Sequence, residues 1–440
     1  MNLKKILREI IYCLVFGFIF AIAIQVQISR SAYGPPAVDP SEAVLGITSG
    51  DTSAAIQRAE AQQVAQFGSY LGLEFYGTIS SLEQTCHTLE ELSQATNRKP
   101  ALIYVVSHSD KLELLLILPN CQTVRRVISE ANRQVVDKVA QDFRTQIIDS
   151  IRPSRRDLSA AQQLYRWMIA PLEAELQADR IEILVFCMDA RLRSIPLAAL
   201  HNGQQFLIEQ YSVALIPSFS LTDTRYRRLE KLRLLAAGIS KSTQEQSPLP
   251  SVAVEVPTLA NKLWQGKSLL NEDSTVDNFR LVNRQERFGI IHIATHAEFK
   301  PGDISQSYIQ FWNEKLPLDR LRQLSLELEW EESPKVEMLV LSACKTAVGD
   351  ERAELGFTGL AVQAGVKTAL GSLWYVSDEG TLVLMTEFYQ QLKTAKTRVD
   401  ALRQAQLAML KGEVSIERGG NLSLSQPYYW SAFTMIGNWN

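Results

Sequence analysis

The sequence predicts an α/β protein with a mostly parallel sheet that helices flank. Three short apolar runs, each bounded by small or polar residues, support this prediction because such runs are typical of buried strands in parallel sheets. They lie at residues 181–187, 288–299 and 336–348. The sequence separation of 48 from His296 to Cys344 leaves room for the crossover helix that parallel strands need, with an apolar pattern around 318–324.

Length, composition and charge limit the classes of protein that are possible. A chain of 440 residues is too long for one ordinary core, so two or three domains are expected. Its 46% hydrophobic and 21% charged residues describe a globular protein. The net charge of −3 is spread over mixed signs, and the most basic stretch, 225–233, is interrupted by Glu230. We therefore expect no nucleic-acid partner.

The amino terminus differs from the rest of the chain. Lys4, Lys5 and Arg8 precede an uncharged apolar run at 10–26, which fits either a signal peptide or a membrane anchor over residues 1–30. Positive charge ahead of such a run places the following chain outside the cytoplasm. We expect an exported protein on the periplasmic side, secreted or anchored, that meets a membrane only through this segment if it stays uncleaved.

A linker and a small first unit are expected next. Residues 31–53 hold the glycine and prolines of a linker, and 54–152 should form a small α/β or α+β unit. In that unit, 101–106 predicts a strand with a hairpin partner at 112–118. Apolar residues at three- and four-residue spacing from 124 to 147 predict one long helix.

The second unit, 153–440, contains the remaining predicted strands. Besides the three runs above, residues 211–216 and 232–238 fit strands. The segment 239–252 carries Ser, Thr, Gln and two prolines, so it is expected to be an exposed loop.

Two histidines in the run 288–299 raise the question of a metal site. His292 and His296 are four residues apart, which suits zinc on a helix, but the β-branched run favours a strand. Residues four apart along a strand are separated by roughly 13 Å, so one metal cannot join them. We expect His296 at the carboxyl end of the strand, His292 hydrogen-bonded in the core, and neither a metal nor a cofactor.

Cys344 ends the apolar run at 336–348. One interpretation is a core cysteine, since free cysteines are often buried. The other is a nucleophile: if the strands that carry His296 and Cys344 are neighbours, an imidazole stands beside a thiol and can take its proton. A backbone N–H at this position could then stabilise an oxyanion.

Several segments resemble the CHAT domain, a caspase-like (clan CD) cysteine peptidase domain related to separase. The two signature segments are 292–296 (HIATH) and 341–346 (LSACKT), and the likeness extends from about residue 158 to residue 440. The other matching segments are 164–165 (LY), 171–172 (PL), 195–200 (IPLAAL), 206–209 (FLIE), 356–361 (GFTGLA), 371–374 (GSLW), 377–379 (SDE) and 427–433 (PYYWSAF). The pattern is most similar to exported CHAT proteins of filamentous cyanobacteria.

The resemblance implies a caspase-like fold and a role for each matching residue. His296 corresponds to the general base and Cys344 to the nucleophile, with the backbone N–H groups of Ala297 and Cys344 as the oxyanion hole. Asp378 falls near the acid that receives a basic P1 side chain in separase-like relatives, although it or Ser377 would equally suit a helix N-cap. The implied partner is a protein or peptide substrate, and the oligomeric state is left open.

Two departures from the family pattern accompany these assignments. Ala297 replaces the usual glycine and would be strained if its position needed positive φ. Lys345 replaces a frequent glutamate, and its charge could lower the pKa of a neighbouring thiol. In an oxidising compartment Cys86 and Cys121 could pair. The alternative to an enzyme is a catalytically silent caspase-like module that binds a partner peptide in the same crevice.

Overall fold

The computed structural model describes residues 52–75, 79–149, 157–189, 191–332, 336–346, 351–415 and 423–440. The predicted leader at 1–30 lies outside the described residues, as does all but the last two residues of the predicted linker. Within the described part, no helix combines the length and apolar character needed to cross a bilayer.

Helices flank one large sheet. Their bounds are α1 Thr52–Leu71, α2 Leu82–Thr96, α3 Arg133–Asp149, α4 Ser159–Met168, α5 Glu173–Ala178, α6 Leu207–Gln210, α7 Val252–Pro257, α8 Val276–Gln285, α9 Leu318–Glu327, α10 Glu351–Thr358, α11 Leu360–Ala364, α12 Asp378–Leu392, α13 Arg398–Leu410 and α14 Pro427–Trp430. A π-helical turn over Thr258–Leu263 continues α7.

Within the described residues, thirteen strands form the sheet. Their bounds are β1 Pro100–Ser107, β2 Leu112–Ile117, β3 Thr123–Ile128, β4 Ile183–Met188, β5 Ser212–Ile216, β6 Leu234–Gly238, β7 Gly266–Leu270, β8 Ile290–Phe299, β9 Tyr308–Gln310, β10 Lys315–Pro317, β11 Met338–Thr346, β12 Thr368–Ser372 and β13 Phe433–Gly437. The seven strands predicted from the sequence are confirmed as β1, β2, β4, β5, β6, β8 and β11.

The sheet is largely parallel. Its order is β10-β9-β8-β11-β12-β13-β5-β4-β1-β2-β3, and β6 pairs with both β7 and β8. Strands β7, β6, β8, β11 and β12 run parallel to one another, as do β1, β4 and β5, while antiparallel pairs lie towards the edges and between β12 and β13. The predicted fold class, a mostly parallel sheet flanked by helices, is confirmed.

The sheet extends through both parts that the sequence analysis separates. Strand β1 pairs in parallel with β4 from Pro100↔Ile183 to Val105↔Met188. The residues from 52 to 440 form one compact unit with a shared hydrophobic core.

The predicted long helix over 124–147 is wrong in its first part. Thr123–Ile128 is strand β3, and the helix begins at Arg133. The apolar residues at the start, Val124 and Val127, match a helical spacing, but β2 offers a complete antiparallel partner for their backbone from Leu112↔Ile128 to Ile117↔Thr123. Tertiary pairing therefore overrides a short periodic pattern.

Candidate active site

Strands β8 and β11 are neighbours in the interior of the sheet. His292 is opposite Val340, the register shifts after Leu341, and beyond the shift His296 is opposite Ala343. Ala297 is then opposite Cys344. Because neighbouring strands are only about 4.8 Å apart, the backbone of Cys344 lies beside that of His296, one residue further along the strands.

The imidazole of His296 is half-buried and has a defined partner on one nitrogen. Its Nε2 lies 2.8 Å from the carbonyl oxygen of Ser247. A carbonyl can only accept, so Nε2 carries the proton. In the neutral ring Nδ1 is then the unprotonated nitrogen, and this buried atom has no hydrogen-bond partner within the described residues. The ring is thus held in the tautomer that can accept a proton at Nδ1.

The loop 239–251 reaches the site from between β6 and α7. Its tip is exposed as expected, but Ile239 is buried, and the backbone of Ser247 and Ser251 contacts side chains on other elements. Gln246 donates to the hydroxyl of Tyr308 beside β8. Sequence reasoning missed the role of Ser247 because a backbone carbonyl leaves no signature in residue type.

Asp378 is the first residue of α12 and faces this loop. Its carboxylate accepts the N–H of Ser251, while Ser377 is the N-cap and accepts the N–H of Gly380 at 3.0 Å. Burial raises the pKa of the Asp378 carboxyl, the N–H of Ser251 opposes that shift, and Glu255 adds repulsion. Of the two alternatives, the capping role falls to Ser377, and the P1 role of Asp378 stays a prediction.

Tyr375 is a site neighbour that sequence reasoning did not single out. Its ring meets the ring of His296 edge to face, with centroids 5.7 Å apart, and it is 38% exposed. The hydroxyl of Tyr428 donates to the Tyr375 carbonyl at 2.8 Å and so fixes its backbone. The only sequence signal was its place between two family segments, 371–374 and 377–379.

Ala297 is buried inside the sheet and paired on both sides. Cys344 lies opposite on β11 and Ile309 opposite on β9. The strain that a positive φ would impose does not arise, because the backbone of Ala297 is extended within β8. The N–H of a strand residue points within the sheet towards a neighbouring strand, and Ala297 has one on each side. Its N–H can therefore contact an oxyanion only if the strand pairing opens locally.

His292 is fully buried and hydrogen-bonded, as predicted. Its Nε2 lies 2.8 Å from Oε1 of Glu255 on α7, and its Nδ1 lies 3.3 Å from the hydroxyl of Tyr389 on α12. The strand conformation of 290–299 keeps its ring away from that of His296. Over the ranges that the structure describes, no three His, Cys, Asp or Glu residues are grouped as a metal site would need.

The sequence matches the family model of the CHAT domain over residues 158–438, more than half of the chain. The chain belongs to the CHAT-domain family. No curated protein matches the sequence.

Among solved structures, this CHAT protein is similar to a chain of the Saccharomyces cerevisiae separase–securin complex. The TM-score is 0.50 at 9% identity, and the match covers 91% of this chain and 35% of that one. A second match is the complex of Porphyromonas gingivalis RgpB pro- and mature domains, with a TM-score of 0.40, 10% identity and coverage of 70% and 77%. The likeness to the separase complex shows a shared caspase-like fold.

Proposed function

We propose that this protein is a cysteine endopeptidase in which Cys344 is the nucleophile and His296 the general base. The observation that carries the proposal is the register of β8 and β11, which sets Cys344 one position along from the residue opposite His296. The Nδ1 of His296, which has no hydrogen-bond partner among the described residues, supplies the base that a thiol needs to become a thiolate.

The reaction follows from these groups. His296 takes the thiol proton at Nδ1, and the thiolate attacks the carbonyl carbon of a peptide bond. The tetrahedral intermediate collapses, the C–N bond breaks, and the amine leaves with the proton from the imidazolium. Water, deprotonated by the same imidazole, then hydrolyses the thioester and restores the thiol. The Ser247 carbonyl stabilises the imidazolium between these steps through its hydrogen bond at Nε2.

The oxyanion of the intermediate needs N–H donors. Those of Ala297 and Cys344 are the candidates, and each such donor typically contributes about 3 kcal/mol to transition-state stability. Since Ala297 is paired on both sides, substrate binding must widen the sheet beside it for its N–H to take part. An activating partner or substrate would have to supply that change.

The substrate is a polypeptide with a basic side chain at P1. Asp378 supports this choice because its half-buried carboxylate and His296 both contact the loop 239–251. Asp378 bonds to Ser251, and His296 bonds to Ser247. An ammonium or guanidinium group would replace the loop N–H as its partner.

A second candidate function is a silent module that binds a partner peptide without cutting it. The pairing of Ala297 on both sides favours this candidate, because it leaves the N–H unavailable in the closed sheet. A peptide could still dock on the exposed face of Tyr375 and on Asp378.

Peptide-library cleavage separates the two functions. We expect wild-type protein to release fragments and Cys344→Ala to lose at least about a thousandfold in rate, as removal of a nucleophile typically does. Cys187→Ala is the matched control, because this thiol is buried in β4, away from β8 and β11 in the strand order. Identical product sets from wild type and Cys344→Ala, or no products from either, would leave only the silent module.

We also propose that the protein is exported, in the manner of the cyanobacterial CHAT proteins that its sequence resembles. The support is the charged and apolar amino terminus together with a disulfide between Cys86 and Cys121. Disulfides of this structural kind persist in oxidising compartments such as the periplasm.

A further inference from the structure

Three of the elements that carry groups of the candidate site meet a second time deeper in the core. The elements are β8, α7 with the loop before it, and α12. At the surface His296 contacts the Ser247 carbonyl, and Asp378 accepts the N–H of Ser251. In the core, His292 of β8 contacts Glu255 of α7 and Tyr389 of α12. These last three residues are called the buried triad below.

The two levels are separated by fixed lengths of regular structure. His292 precedes His296 by four strand residues, or roughly 13 Å. Glu255 follows Ser251 by one helical turn, and Tyr389 follows Asp378 by about three turns. Regular secondary structure therefore joins His296, Ser251 and Asp378 each to one member of the buried triad.

The polar groups of the triad satisfy one another. The Glu255 carboxylate accepts from Nε2–H of His292, so in the neutral ring Nδ1 accepts from the Tyr389 hydroxyl. Burial raises the pKa of the Tyr389 hydroxyl, with the Glu255 charge adding to the shift, so that it keeps its proton to donate. The three side chains are at most 1% exposed.

Such a triad is a costly way to hold two helices on a strand. The free-energy cost of removing charged groups from water offsets most of the stability that their pairing contributes. Apolar side chains of similar volume often stabilise a fold to the same extent. Hydrogen bonds, which are directional, additionally fix how far each helix is rotated about its axis and shifted along it relative to the strand. A displacement of about 1 Å at a catalytic group can cost a hundredfold in rate.

We propose that Glu255, His292 and Tyr389 are positioning residues that set the height of α7 and α12 against β8, and so hold Ser247 on His296 and Ser251 on Asp378. This inference rests on the proposed function of that site. The triad touches no substrate and acts only through the elements that it joins.

The test compares two buried tyrosines in the full chain. Tyr389→Phe removes the hydroxyl from the triad, and Tyr104→Phe is the matched control. Tyr104 is also buried, its hydroxyl donates to Glu60 at 2.8 Å, and it lies on β1 at the far side of the sheet order from β8. Both variants lose one buried hydrogen bond, so their global stability should fall alike.

The readouts are the NMR titration of the His296 ring and amide hydrogen exchange across 247–251. We expect Tyr389→Phe to shift the His296 titration and to speed that exchange about tenfold, with Tyr104→Phe leaving both at wild-type values. Glu255→Gln, which keeps the side-chain shape, should act in the same direction and more strongly, and Glu255→Ala more strongly still.

Equal effects of Tyr389→Phe and Tyr104→Phe on both readouts would overturn the positioning role. Neither readout needs peptide cleavage. A protein that cuts no peptide can therefore still show positioning by the buried triad, and an active enzyme can still lack it. If peptides are cleaved, kcat/KM should fall in Tyr389→Phe, since His296 acts on the reacting bond and Asp378 on the P1 side chain.

Discussion

The pH dependence of the Asp378 carboxyl offers a test of its proposed role. Because burial raises the pKa of its carboxyl, this group gains a proton at a higher pH than an ordinary aspartate. Its negative charge, and with it any attraction for a basic P1 residue, is present above the raised pKa and is lost as pH falls through it. The groups that bear on this titration are the Ser251 N–H, Glu255 and Glu379.

We expect Asp378→Asn to lower kcat/KM for peptides with Lys or Arg at P1 by roughly a hundredfold, the effect of removing one charged contact at a buried site. The variant should also lose the acid-side fall in that preference. Parallel kcat/KM profiles on P1-Arg and P1-Leu peptides between pH 4 and 8 measure both effects. A variant with the wild-type P1 ranking and pH curve would remove Asp378 from the specificity site.

At the scale of elements, β11 is anchored at the end opposite to Cys344. Glu337, just before β11, is 1% exposed and pairs with Arg398 at 2.7 Å, Lys367 at 3.1 Å and Arg227 at 3.5 Å. Arg398 begins α13 and also donates to Thr368 at the start of β12. One buried carboxylate thus joins β11, β12 and α13.

We expect Arg398→Met to lower the free energy of unfolding by about 3 kcal/mol, because it removes the best-buried partner of a charge that stays in the core. Urea unfolding measures the change. Arg228→Met is the matched control, since Arg228 is 54% exposed in its pair with Glu230 and should contribute less than about 1 kcal/mol. Equal losses in the two variants would show that Lys367 and Arg227 suffice for Glu337.

The elements that the sequence predicted well are those with a strong local signal. β8 and β11 are apolar on both faces, and their small or polar ends mark where they stop. The sequence of β3 fits a helix as well as a strand, because its three apolar residues match either period, and only pairing with β2 decides between them. The edge strands β9 and β10 are three residues each, too short for any pattern.

The same distinction holds for the site. His296 and Cys344 could be predicted because chemistry and family pattern mark those residue types. Ser247 acts through its carbonyl and Tyr375 through a ring contact, and neither depends on a spacing along the chain. Glu255 lies 37 residues from His292, so only the folded sheet brings them together.

At the scale of the whole molecule, the sheet extends beyond the region that matches the family model. Strands before residue 158 complete it. β4 pairs with β1, and Glu60 of α1 accepts the N–H groups of Phe219 and Ser220. A fragment of residues 158–440 would expose the apolar edge of β4. We expect it to aggregate or to unfold without cooperativity, whereas residues 52–440 should give one sharp transition in calorimetry. A soluble fragment with its own cooperative transition would instead support a domain boundary near 153.

The disulfide makes the proposed export testable in the same molecule. Cys86 of α2 is joined to Cys121 in the turn after β2, which closes a loop with a sequence separation of 35. Closing a loop of this size typically stabilises a fold by about 2–4 kcal/mol. We therefore expect reductant to lower the Tm of protein purified from the periplasm by several degrees, and to have no effect on a Cys86→Ser/Cys121→Ser double variant.

Cys187→Ala is the control, because its thiol is buried and outside this pair, so its reductant shift should match that of the wild type. Thiol titration of the unfolded, unreduced protein should find Cys86 and Cys121 unreactive. The proposed nucleophile responds in the opposite sense, since Cys344 must stay a reduced thiol in order to act. Reductant should thus lower stability while raising activity, and protein from the cell envelope that carries both cysteines free would contradict the export proposal.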